Sequence, residues 1–84
     1  MTNVIINWNG TPVKTRTITT GCGRFRVGDF LLFQGELTRI EAVQNECFAI
    51  ENLHKFTMVT LETRSGKLIP VRSIGVKQIH RVVR

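Results

Sequence analysis

The stretch Val27-Gly28-Asp29-Phe30-Leu31-Leu32-Phe33-Gln34-Gly35, continued by Leu37–Val43, decides the fold. Gly28-Asp29 is a turn signal, because glycine takes a positive φ at no steric cost. Phe30–Phe33 is an uninterrupted apolar run of strand length. Gln34-Gly35 turns the chain again. Leu37–Val43 then alternates, with Arg39 and Glu41 on one face and Ile40 and Ala42 on the other. The two runs read as a β-hairpin. Leu37, Ile40 and Val43 are also three apart, which a helix over Glu36–Glu46 would use. The turn signals on both sides favour the strand.

Outward from this hairpin the signals stay β. Val4–Trp8 is an apolar run ended by Asn9-Gly10, a pair suited to a two-residue hairpin turn because both residues tolerate positive φ. Val13–Thr20 alternates β-branched residues with Lys14 and Arg16, which makes one face of that strand cationic. Residues 1–23 thus form an N-terminal β-hairpin or a flexible arm. Downstream, Gln44-Asn45-Glu46 reads as a turn and Cys47–Ile50 as further strand. Phe56–Thr63 is a long strand, Arg64-Ser65-Gly66-Lys67 a glycine turn, and Leu68–Val71 the returning strand. Arg72–Gly75 suits one 3₁₀ turn, and Ile79–Val83 closes the chain. The expected core is Val27, Phe30, Leu32, Ile40, Phe48, Ile50, Val59, Leu61, Ile69, Val71, Ile74 and Ile79.

Five short strands at this spacing, with a 3₁₀ turn before the last, imply an all-β chain: a small SH3-like five-stranded barrel over residues 24–84, with the hairpin or arm ahead of it and one structural domain overall. The Val27–Val43 stretch resembles the opening hairpin of KOW, Tudor and related SH3-like modules, in which a Gly-Asp pair starts the first barrel strand. Lys67–Ile74 is similar to their fourth strand running into the 3₁₀ turn. The glycine that KOW motifs carry inside the second strand is replaced by Thr38, Arg39 and Ile40. Lys67–Ile74 is also similar in layout to the last long strand of the plasmid-type dihydrofolate reductases. Their Val-Gln-Ile-Tyr before the proline is absent, since Lys67-Leu68-Ile69 precede Pro70.

At 84 residues, with 42% hydrophobic and 21% charged, the composition is that of one small globular domain rather than a disordered chain. No apolar run approaches the roughly 20 residues a membrane helix needs. Met1–Asn9 lacks the basic start and small-residue cleavage site of a secretory signal, so the expected setting is cytoplasmic, with Cys22 and Cys47 as free thiols.

Chemistry has little to stand on. The chain has one aspartate, two histidines and no tyrosine, and no carboxylate pair or Ser-His-Asp order stands out. The expectation is a non-enzymatic protein without cofactor. Cys22, Cys47, His54 and His80 are the only cysteines and histidines, and none of them forms the close pair that structural zinc sites use. Gly21-Cys22-Gly23 lacks the lysine and helix start of a P-loop and reads as a linker.

Charge is the informative feature. The net charge is +6, and its distribution is uneven. Residues 1–28 carry +4, residues 29–62 carry −4 and residues 63–84 carry +6. If the two ends meet in space, their cations form one surface that favours polyanions. Nucleic acid, RNA or DNA, is therefore the expected partner. The expected phosphate contacts are Lys14, Arg16, Arg24, Arg26, Arg64, Lys67, Arg72, Lys77 and Arg81. Trp8 and Phe25 are the candidates for stacking on bases, and a hydrophobic lid between hairpin and barrel is the alternative for both. The rival reading is a protein-interaction module docking on an acidic surface of a larger complex, in the manner of phage or mobile-element accessory, inhibitor or virion proteins. An exposed edge such as Val4–Trp8 would also support homo-oligomers.

Overall fold

The computed structural model describes residues 3–19, 25–48, 55–72 and 76–83, with backbone alone at 45–48 and 55. Strands β1 (Asn3–Trp8), β2 (Thr11–Thr19), β3 (Phe30–Phe33), β4 (Glu36–Phe48), β5 (Lys55–Thr63), β6 (Leu68–Arg72) and β7 (Gln78–Val82) follow in chain order. All seven join one antiparallel sheet in the order β1-β2-β7-β3-β4-β5-β6. The described residues are all-β, as expected, and form one open antiparallel sheet of seven strands. No described strand pairs with the outer side of β1 or of β6. The N-terminal hairpin belongs to the sheet because β2 pairs with β7 from Thr15↔Val82 to Thr19↔Gln78.

The tight turns sit where the glycines demand. Asn9 (φ 50) with Gly10 (φ 87), and Gln34 (φ 51) with Gly35 (φ 78), join β1 to β2 and β3 to β4. Positive φ at both central residues matches the twist of the flanking strands. Gly28 (φ 96) is the third residue of the turn closed by the Asp29 N–H donating to the Arg26 carbonyl (3.1 Å). An added Cβ there meets nothing within 4 Å, so Gly28→Ala is strained through the backbone alone. The expected loss is roughly 1–2 kcal/mol in chemical denaturation, with an unchanged spectrum for the folded state.

Two cores lie on opposite faces of the sheet. Successive strand residues point to opposite faces, yet Phe30 and Leu31 are both buried. Leu31 packs with Phe25, Ile40, Val59, Leu61 and Ile79. Phe30 packs with Ile6 and Trp8, flanked by Val4, Val13, Leu37 and Val82. The second core is the hairpin folded back over the sheet. β1 lies three strands from β3, about 14 Å on a flat sheet, but the Trp8 and Phe30 ring centroids are 5.3 Å apart. The sheet must curl to bring them together. Arg64, in the β5–β6 turn, completes the curl by donating from Nη2 to the Asn7 carbonyl (3.1 Å).

Several core expectations change. Val27 is 66% exposed and Leu32 64% exposed, while Leu31 takes the buried place. Val27 lies in the turn, and Leu32 points to a face that the hairpin does not cover at that height. Ile69 and Val71 are half-buried, and Phe30, Ile40, Val59, Leu61 and Ile79 are buried. The Gln44–Glu46 turn is absorbed into β4, whose pairing with β5 slips between Gln44 and Cys47 and again between Ile40 and Ala42. Such bulges bend a strand without ending it. Ile50, Ile74, most of the 3₁₀ segment and the side chain of Phe48 lie outside the described residues.

Candidate nucleic-acid interface

β2 alternates as the sequence dictates. Val13 and Thr15 face the hairpin core, and Lys14 and Arg16 face solvent on the other side. Thr15 is wholly buried, and its hydroxyl donates to the Val4 carbonyl (2.8 Å), which fixes β2 against β1. The register with β7 sets Arg16 directly opposite Arg81. The Val83 N–H donates to the Lys14 carbonyl (2.9 Å), one step further along the pair. Head and tail of the chain thus lie side by side.

Two arginines facing each other across a strand pair repel. Asp29 removes most of that conflict. Its side chain is 4% exposed and that of Arg81 is 16% exposed. Arg81 donates from Nε to Oδ1 (3.3 Å) and from Nη2 to Oδ2 (3.1 Å), a two-point contact of the guanidinium fork. Oδ2 also accepts the Arg26 N–H (3.1 Å), so the same carboxylate holds the turn that carries Arg26. The Ile40 N–H donates to the Asp29 carbonyl (2.7 Å) and ties the turn to β4.

The result is a shallow cleft of about 510 Å³ lined by Arg16, Arg26 and Arg81, with Gly28, Asp29 and Val83 completing its walls. Three guanidiniums against one carboxylate leave a surplus of two positive charges, and Lys14 adds a third beside them. Among the described residues, Glu41 and Glu62 are drawn to Arg39 and do not cancel it. Arg39 takes Glu62 and lies 3.8 Å from Glu41, while its guanidinium sits 5.6 Å from the centre of the Trp8 ring.

The remaining expected contacts are dispersed. Arg64 and Lys67 belong to the β5–β6 turn. Arg72 lies over the Phe56 ring (4.4 Å), and with Lys77, Leu32, Phe33, Val71 and His80 it lines a second depression of about 780 Å³. That depression is at the opposite end of β7 from Arg81. Arg24 lies outside the described residues. Trp8 and Phe25 are each 9% exposed, one in each core, so neither ring offers a face for stacking. Each sits on the inward side of its segment, and Arg26, next to Phe25, is exposed. Asp29 is the residue that reading the sequence missed, since its partner is 52 positions away.

Of the four cysteines and histidines, only His80 has a described side chain, its Nδ1 3.2 Å from the Thr17 hydroxyl. Among the described residues no three His, Cys, Asp or Glu side chains converge, and no helix is long and apolar enough to cross a membrane. No family model, no curated protein and no solved structure matches the chain.

Proposed function

We propose that the chain is a non-enzymatic nucleic-acid-binding module whose cationic cleft between β2, β7 and the 26–29 turn grips phosphates. One observation carries the reading: the β2–β7 register sets Arg16 against Arg81, and Asp29, the one carboxylate among the described residues of the cleft, is consumed in fixing Arg81. Arg81 then acts as a positioned donor, and Lys14, Arg16 and Arg26 supply net charge. Neutralising phosphates there releases counterions, which drives binding without regard to sequence. No aromatic is among the described residues that line the cleft, which favours backbone contact over base stacking.

The return of β7 to pair with β3 supports a finer reading of β3–β7 as an SH3-like roll, with the β1–β2 hairpin laid over its outside. Open edges at β1 and β6 set it apart from a closed barrel.

Lys14 and Arg16 are exposed, so Lys14→Ala with Arg16→Ala leaves the cores intact. With a random single-stranded oligonucleotide, the slope of log affinity against log salt is expected to shrink by about 1.4, 0.7 for each cation removed. Lys67→Ala, on the β5–β6 turn, is expected to leave the slope unchanged. Equal losses from both variants would point to diffuse attraction by net charge and not to the cleft. Absence of binding by the unaltered chain, with retention of an acidic protein partner, would transfer the same cleft to protein docking.

A further inference from the structure

We infer that β1 is a self-pairing edge, through which a second copy of this chain adds antiparallel at Ile5. The two edges of the sheet are unlike. β6 carries Pro70, which cannot donate to a ladder, and ends in Arg72. β1 reads Asn3-Val4-Ile5-Ile6-Asn7-Trp8, with neither charge nor proline to discourage another strand.

The direction of its main-chain groups follows from β2. Asn7 opposes Pro12, which has no N–H, so this pair is a non-hydrogen-bonded one and the main-chain groups of Asn7 point outward. Arg64 reaching the Asn7 carbonyl from outside agrees with that. Alternation then directs the N–H and C=O of Ile5 and Asn3 outward as well. Ile5, 71% exposed, is the most exposed large apolar side chain among the described residues.

The strand is close to palindromic about Ile5. A two-fold axis normal to the sheet through Ile5 sets Ile5 against the partner's Ile5, Val4 against Ile6, and Asn3 against Asn7. Every pair then shares a face, as an antiparallel ladder requires. The two isoleucines cover each other on the outer face, the asparagine amides meet on either side of them, and valine meets isoleucine on the inner face. Arg64 gives up the Asn7 carbonyl to the incoming Asn3 N–H or shares it, since a carbonyl has two lone pairs. The axis keeps Lys14 and Arg16 of both copies on one side. The pairing itself does not depend on the nucleic-acid reading.

The test is sedimentation of the full chain, with engineered cross-links in a background carrying Cys22→Ser and Cys47→Ser. The unaltered chain is expected at twice its 9.6 kDa mass. Ile5→Lys sets like charges directly opposite each other and is expected at the single mass with an unchanged circular dichroism spectrum. Opposed residues of a hydrogen-bonded pair have Cα atoms about 5.5 Å apart, within disulfide reach. Ile5→Cys is therefore expected to cross-link. Asn3→Cys, about 14 Å from its own copy along the strand, is expected not to. A single-mass unaltered chain, a dimer that survives Ile5→Lys, or equally fast cross-linking through Asn3→Cys would each overturn the proposal.

Discussion

Asp29→Asn is expected to lower the stability by about 3–5 kcal/mol, because it keeps the shape of the side chain and removes the charge that offsets a buried guanidinium. The Arg81 side chain is only 16% exposed and cannot recover its hydration without leaving the sheet. A chain of this size has roughly 5–10 kcal/mol in all, so about half is at stake. The corresponding fall in Tm is roughly 12–40 °C, at 4–8 °C per kcal/mol. Urea denaturation of the variant gives the figure directly. Asp29→Asn combined with Arg81→Met removes both partners and is expected to recover most of the loss, since the cost lies in a buried guanidinium that has lost its carboxylate. A loss below 1 kcal/mol for Asp29→Asn alone would mean that water reaches Arg81 and that the carboxylate does not organise the cleft.

Trp8→Ala is expected to cost about 3–5 kcal/mol as well, through a different route. The indole packs edge-to-face on Phe30 at an interplanar angle of 62° and lies beneath the Arg39 guanidinium. Its removal empties the centre of the smaller core, which joins the hairpin to the outer face of β3 and β4. The larger core, on the other face, keeps its contacts. Amide exchange should therefore accelerate in β1 and β2 well before it accelerates in β4 and β5. Trp8 is the only tryptophan in the chain, so in the unaltered protein its fluorescence reports docking of the hairpin. Trp8→Phe keeps an aromatic partner for Phe30 and is expected to cost less. Uniform acceleration across all strands would show that the two cores unfold as one unit.

The turns were the most legible part of this fold. Asn9-Gly10, Gln34-Gly35 and Ser65-Gly66 each demand a positive φ, and a residue type that supplies it marks a chain reversal without help from tertiary structure. Strand positions followed from the turns. The faces were harder to read. In Phe30–Phe33 all four residues are apolar, so alternation cannot tell which pair points inward, and burial on both faces made Leu31 a core residue in place of Leu32. Gln44–Glu46 has turn composition, yet pairing with β5 carries the chain through it as a bulge. The charged segments revealed that head and tail were both basic. They did not reveal that one carboxylate, in the same Gly-Asp turn that marked the first hairpin, would sit beneath Arg81. A pair 52 residues apart leaves no local signal.

The cleft also accounts for the two faces of the charge distribution. Arg39 answers Glu62 across the β4–β5 pair and Glu41 along β4, while the cations of β2 and β7 keep their surplus. Binding of a polyanion at that surplus is read by fluorescence anisotropy of a random single-stranded oligonucleotide titrated with the unaltered chain over a range of salt. The three surplus cations, Lys14, Arg16 and Arg26, predict a slope of about −2 for log affinity against log salt, at about −0.7 per phosphate neutralised. A flat line, or no binding even at the lowest salt, would contradict it.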